Sequence, residues 1–293
     1  MLAENALGSH GTGSIHEGRL VRARSTSLLL LPGLAFLLVG FLLPAAAMLF
    51  APPGVTFLQV LERMGAMLTD PYDLGIMWRT VRIGLVVTVL CVVLGFPIAS
   101  LLARSQSRWA GVLLALAIFP LLLSNVVRTF GWLVILGSNG VIGQILTGLG
   151  IVSDAPQLLY TEMAIVLGLV QLFLPLAIIT CYSAVAQVDP GLDEAARGLG
   201  ASRTRAFWTV LVPLSLPGIV VAATLVFAGS VTAYTTPYLL GGSSQRMLST
   251  QLFSYASVTV DWAAASATAI VMTVLVFLVS GLSSLVGRKG ATS

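Results

Sequence analysis

Side chains able to do covalent or metal chemistry are sparse in this sequence, and their settings argue against catalysis. Cys91 and Cys181 sit inside the apolar runs TVLCVVLG and AIITCYSA, where a thiol behaves as a small apolar residue. His10 and His16 lie in a polar N-terminal stretch with no metal-like spacing of ligands around them. No Gly-rich run ends in Gly-Lys-Ser/Thr, and the only lysine is Lys289, so the chain offers no loop to cradle nucleotide phosphates. What remains is the chemistry of helix capping, docking and charge placement.

The densest stretch of that kind is residues 189–213, DPGLDEAARGLGASRTRAFWTVLVP. Asp189 suits a helix N-cap and Pro190 the first helical position. Asp193 and Glu194 follow where the helix dipole favours acids. Gly198 and Gly200 offer stopping points, and Ser202 can cap a second short helix that runs to Pro213. The spacing predicts a helix–turn–helix lying along a membrane face. Its small residues, Ala195, Ala196, Gly198 and Gly200, allow close approach by a partner; an ordinary amphipathic connector is the plainer alternative.

Two further sets lie inside apolar surroundings. Residues 229–237, GSVTAYTTP, form a polar, breakable stretch, and Ser230, Thr232, Tyr234 and Thr235 either line a path or pack helix on helix. Arg128, flanked by Asn125 and Thr129, either snorkels to the interface or serves a gating or pairing role. Glu162 is its candidate partner.

The elements that must position these residues follow from composition. Of 293 residues, 57% are hydrophobic and 9% charged. Soluble domains carry about 25% charged residues, so a soluble enzyme, a disordered chain and a nucleic-acid-binding module are excluded. The net charge of +4 comes from basic residues scattered between apolar blocks, which marks topology and not a nucleic-acid face. Charge-free gaps fall at 25–61, 83–103, 109–127, 129–153, 163–188, 206–245 and 262–287, and a bilayer core needs about 20 apolar residues per helix. The gap at 129–153 turns Gly-rich after Leu136, so it is read as the end of the third helix followed by a loop or surface helix over 137–157. Six spans result: about 28–50, 78–103, 109–136, 158–182, 214–240 and 263–286.

With the N-terminus inside, Arg19, Arg22, Arg24, Arg104, Arg108, Arg197, Arg203, Arg205, Arg288 and Lys289 all fall on the cytoplasmic side. A seventh span would move three of them out, so both termini are expected in the cytoplasm. Residues 1–27 read as a disordered polar tail, 28–287 as one transmembrane domain, and 288–293 as a C-terminal tail. The first apolar run is too long for a signal-peptide core and is taken as a retained helix. Trp78, Trp109, Trp132 and Trp262 fall near predicted helix ends and are expected to be interfacial anchors.

Glu194-Ala195-Ala196, Gly200 and Val210-Leu211-Val212-Pro213 together resemble the signature loop of permease subunits of binding-protein-dependent ABC importers, with Val at two positions where the family usually has Ile and Leu. Arg79-Thr80, Gly95-Phe96-Pro97-Ile98-Ala99, Arg128-Thr129-Phe130-Gly131-Trp132, Asn139-Gly140-Val141-Ile142, Pro237-Tyr238-Leu239-Leu240-Gly241-Gly242 and Asp261-Trp262 extend the likeness to the first permease subunit of spermidine/putrescine-type importers.

The resemblance implies an all-α membrane protein with the type I ABC importer permease fold, in a bacterial inner membrane. It implies a second homologous permease, making a heterodimer, two cytoplasmic ATP-binding subunits and an extracytoplasmic binding protein. The chain would be no enzyme and hold no cofactor, ATP being bound by the partner. Glu194, Ala195, Ala196, Arg197 and Gly200 would dock a coupling helix on the ATPase, with Arg203 and Arg205 flanking. Asn125, Arg128, Ser230, Thr232, Tyr234 and Thr235 are the candidate pathway residues. The implied substrate is a polyamine, although the spans hold almost no acid to attract one. Iron(III), thiamine, phosphonates and opines are the alternatives within the same machinery. An ion-coupled carrier would need ionisable residues mid-span. An intramembrane enzyme would need histidines or paired acids there.

Overall fold

The computed structural model describes residues 32–50, 54–105, 107–138, 140–150 and 156–290, and all regular structure among them is helical. The proposed tail at 1–27, Asn139 and part of the 137–157 segment lie outside the described residues. The chain divides into two units between Phe57 and Leu58. The first holds α1, a short apolar helix at Pro32–Met48.

α2 spans Phe57–Met67, its first residue being the last of the first unit, and α3, in the second unit, spans Pro71–Arg104. α3 begins well before the expected residue 78 because Asp70 and Pro71 make a strong start. The Asp70 carboxylate accepts the Tyr72 N–H at 2.9 Å, and Pro71 occupies the first turn, where no N–H is needed.

The third span is not the continuous helix expected over 109–136. α4, Ala110–Ile118, tightens into a 3₁₀ turn at Phe119–Leu122, and Leu123 is extended before α5 starts at Asn125 and runs to Leu136. Pro120 sits in this turn, and its missing N–H and fixed φ favour a helix start over a helix interior. α5 ends at Gly137, and α6 occupies Val141–Gly148. Gly140 makes that turn possible, since a Cβ there would run into the Val134 and Ile135 carbonyl oxygens.

α7 spans Glu162–Ala186, α8 Pro190–Gly198, and α9 Arg203–Thr232. α9 passes through a π turn at Phe207–Leu211, just before Pro213. The wider turn relieves the clash that the Pro213 ring would make with the carbonyl four residues back. α10 (Thr235–Gly241) and α11 (Leu248–Ser254) are short, and α12 covers Trp262–Gly290. Among the described residues, α3, α7, α9 and α12 are each long and apolar enough to cross a membrane; α5 and α6 reach that length only when counted together, and α1 and α4 are shorter.

The core is the mutual packing of α3, α7 and α9. One layer joins Ile83, Val87 and Cys91 to Ile165, Leu169, Ala177 and Val226. The other joins Phe96, Ala99 and Leu102 to Ile178, Cys181, Val185, Leu211 and Ala222. Both cysteines are free and buried there. Between lipid-embedded helices it is close packing that drives association, and small side chains permit it.

Candidate functional site

The 189–213 loop folds as its caps dictate. Asp189 accepts the Gly191 N–H at 2.8 Å, and Ser202 accepts the Arg205 N–H at 3.2 Å. α8 ends in a Schellman motif, in which Gly200 N–H donates to the Arg197 carbonyl at 3.0 Å and Ala201 N–H to the Ala196 carbonyl at 3.1 Å. Gly200 has φ +91°, a conformation that side-chain-bearing residues resist. The motif glycine therefore has a backbone reason, and Gly198, which is helical, does not share it.

No residue of α8 is buried. Glu194, Ala195, Arg197 and Gly200 are exposed, Ala196 is half-buried, and Leu199 projects with 91% of its surface free. The capped helix thus ends beside an unburied leucine set among small residues, an exposed apolar surface of restricted extent. Ala206 and Leu211 are buried behind it, so α8 is tied through the π turn into α9.

The fifth span, expected as one helix over 214–240, is broken. Ala233 is extended, with ψ 127°, and α10 restarts after Tyr234. The Ala233 carbonyl, which would lack a helical partner in any case because residue 237 is a proline, accepts the Ser249 hydroxyl at 2.6 Å. Ser249 lies on α11, whose first four residues are all buried. Leu248 N–H in turn donates to Thr80 Oγ1 at 2.9 Å. Irregular backbone inside a membrane protein persists only where neighbours satisfy it, and α11 supplies that service.

The break sorts the candidate pathway residues. Ser230 is fully buried and donates to the Val226 carbonyl at 2.6 Å, so it serves helix packing and does not line a path within this subunit. Thr232 is exposed and Thr235 half-buried. Tyr234 stacks on Phe253 with centroids 4.3 Å apart and on Tyr238 at 5.1 Å. A cavity of about 510 Å³ adjoins this aromatic group, lined by Tyr160, Tyr238, Arg246, Thr250 and Phe253 among others. Asn125 is half-buried at the start of α5.

Arg128 and Glu162 do not pair. Glu162 takes Arg79 on one carboxylate oxygen at 3.2 Å and Arg82 on the other. Arg79 and Arg82 stand three apart, on one face of α3, so both can reach a single acid. That spacing was present in the sequence and points to the pair. Arg128 instead donates through Nη2 to the Leu123 carbonyl at 3.3 Å, in the 3₁₀ break, while Nε and Nη1 are buried without a partner. Trp132, expected at the interface, points inward and donates to Gln171 Oε1 at 3.2 Å. Trp78 and Trp109 are exposed. Among the described residues no cluster of His, Cys, Asp and Glu could hold a metal ion.

Residues 95–290 match the family described as binding-protein-dependent transport system inner membrane component. The chain is 30% identical over 264 residues to the spermidine/putrescine transport system permease protein PotB of Haemophilus influenzae, covering 89% of this chain and 90% of that protein. It is 32% identical over 218 residues to the molybdenum transport system permease protein ModB of Mycobacterium tuberculosis, covering 74% and 81%. Among solved structures, a bacterial alginate ABC transporter bound to its periplasmic protein superposes with TM-score 0.72 over 93% of this chain and 96% of that one, at 16% identity. The MetNI methionine ABC transporter superposes with TM-score 0.58 over 76% and 99%, at 18% identity.

Proposed function

The chain belongs to the binding-protein-dependent transport system inner membrane components, as a multi-pass inner-membrane permease subunit of an ABC importer, and from that premise we propose that it carries a polyamine such as spermidine or putrescine. The observation that carries the substrate is the likeness to PotB along nine-tenths of that protein. The chain forms half of the translocation path, pairs with a second, homologous permease, and receives substrate from an extracytoplasmic binding protein. It holds no cofactor of its own; ATP is bound and hydrolysed by two cytoplasmic partner subunits.

Both termini lie in the cytoplasm, which puts α8 on the side of those ATPases. Glu194, Ala195, Ala196, Arg197 and Gly200 form the docking surface, supported by the exposure of α8 and its Schellman end. ATPase closure moves α8, and the π turn at Phe207–Leu211 passes the displacement into α9. The break at Ala233 and Tyr234 is where α9 and α10 can rearrange, beside Thr232, Thr235 and the Tyr234–Phe253 stack. Aromatic faces attract cations without the desolvation that a buried carboxylate demands.

Two observations favour a second reading, an oxyanion substrate. Arg128 brings an unpaired positive charge into the third span, and a molybdenum permease also matches over most of its length. The test is reconstitution of the importer in liposomes with its binding protein. Spermidine-dependent ATP hydrolysis and uptake, with no response to molybdate, is the expected result. The reverse pattern overturns the polyamine reading while leaving the permease intact.

A further inference from the structure

The arginines on the two sides of the structure are treated differently. Arg63, Arg79, Arg82 and Arg246 each find an acceptor, in Asp261, Glu162, Glu162 and Gln251 respectively. On the α8 side, Arg104, Arg108, Arg197, Arg203 and Arg205 have no side-chain hydrogen bond or ion pair among the described residues. Two of them, Arg104 at the end of α3 and Arg203 at the start of α9, line one cavity of about 400 Å³ together with Asp193 of α8. Ser105, Leu113, Phe207 and Leu211 also line it.

Neither arginine reaches the Asp193 carboxylate to form an ion pair, so two cations and one anion face a shared gap without closing it. At the low end of ligand-pocket volumes, the gap suits a small polar headgroup. Its rim is apolar and faces outward: Leu101 is 67% exposed and Leu113 52%. Trp109, also exposed, stands between α3 and α4 at the start of α4, as an indole anchoring a helix end at a membrane interface would. Basic pockets between helices on the cytoplasmic side are the places where lipid phosphates bind.

We propose that this cavity is a phospholipid headgroup site that selects an ethanolamine head, with the phosphodiester between Arg104 and Arg203 and the ammonium on Asp193. Phosphate accounts for the two unpaired guanidiniums, which bind phosphate oxygens in paired, charge-assisted hydrogen bonds. Asp193 accounts for the selectivity, because it would repel an anionic phosphatidylglycerol head that brings no compensating cation. The acyl chains leave over Leu101 and Leu113. A lipid held there touches α3, α8 and α9 at once and so bears on the helix that moves.

The test is native mass spectrometry of the intact importer, released from nanodiscs containing equal amounts of phosphatidylethanolamine, phosphatidylglycerol and phosphatidylcholine. The wild type is expected to retain phosphatidylethanolamine over phosphatidylglycerol by roughly tenfold, the worth of one charge-assisted hydrogen bond. Asp193→Asn should keep the lipid and lose the preference. Arg104→Gln should lose retention, and Arg104→Lys should restore part of it, with co-elution of the partner subunits showing that each variant is assembled. Inorganic phosphate in excess should not displace the lipid. Displacement by phosphate would make this a free-anion site and overturn the proposal. Equal retention of the three lipids by the wild type, or no effect of Arg104→Gln, would overturn it as well.

Discussion

Gly198 and Gly200 stand two residues apart at the end of α8, and an alanine Cβ would meet nothing within 4 Å at either position. Sterics are therefore equal, and only the backbone differs. At Gly198 the conformation is helical, so alanine should stabilise the helix by about 0.5–1 kcal/mol. At Gly200, with φ +91°, alanine should destabilise the cap by about 1–2 kcal/mol. The two substitutions thus differ by about 2 kcal/mol, close to a thirty-fold change in the population of the intact cap. Hydrogen exchange at the Gly/Ala200 and Ala201 amides, which close the Schellman motif, reads that population directly. Substrate-stimulated ATP hydrolysis by the reconstituted importer reads its consequence. Gly200→Ala should speed exchange roughly five- to thirtyfold and weaken coupling, and Gly200→Asn should do so less, because asparagine tolerates the left-handed region. Gly198→Ala should leave exchange unchanged or slower. Equal exchange and equal coupling in the two alanine variants would refute the argument that Gly200 serves a backbone conformation. A coupling loss confined to Gly198→Ala would show that close approach of the partner decides this site.

Three other perturbations test the scaffold. Thr80→Val removes the acceptor of the buried Leu248 N–H at constant shape and should cost about 1–3 kcal/mol in thermal unfolding, with Thr80→Ser close to wild type; equal melting of all three would remove Thr80 as the anchor of α11. Glu162→Gln should lower stability by about 1–2 kcal/mol, below the cost of breaking a buried pair, because its arginines remain 27% and 48% exposed. That loss should shrink as salt is raised, and a salt-independent effect would point to packing instead of charge. Gly84→Ala places a Cβ 3.0 Å from Phe227 and 3.2 Å from Val231, so overpacking between α3 and α9 should cost about 1–3 kcal/mol; an unchanged melting temperature would mean that this contact gives way freely.

Determined by the sequence alone were the membrane class and the α8 loop with its caps, because these depend on apolar composition, charge-free length and local capping chemistry. Asp189, Ser202 and Gly200 act within a few residues of themselves, and each does what its type and position required. Arg79 and Arg82 were legible as one face of a helix, but their shared acid lies about eighty residues away, and periodicity carries no information about which helices face each other. Breaks were harder still. Pro120 interrupted the third span while Pro97, Pro175 and Pro217 stayed inside helices. A proline by itself therefore does not mark a break, because membrane helices tolerate one in their interior. α11 is the clearest instance: it is seven residues, too short and polar to be read as an element, and its first four are buried where Leu248 N–H meets Thr80 and the Ser249 hydroxyl meets the Ala233 carbonyl. Only the tertiary structure could decide that Ser230 packs, that Arg128 stands unpaired, and that Arg104, Arg203 and Asp193 share one cavity. Those facts depend on which surfaces meet across the bundle, and in lipid that choice rests on close packing and hydrogen bonding between distant segments.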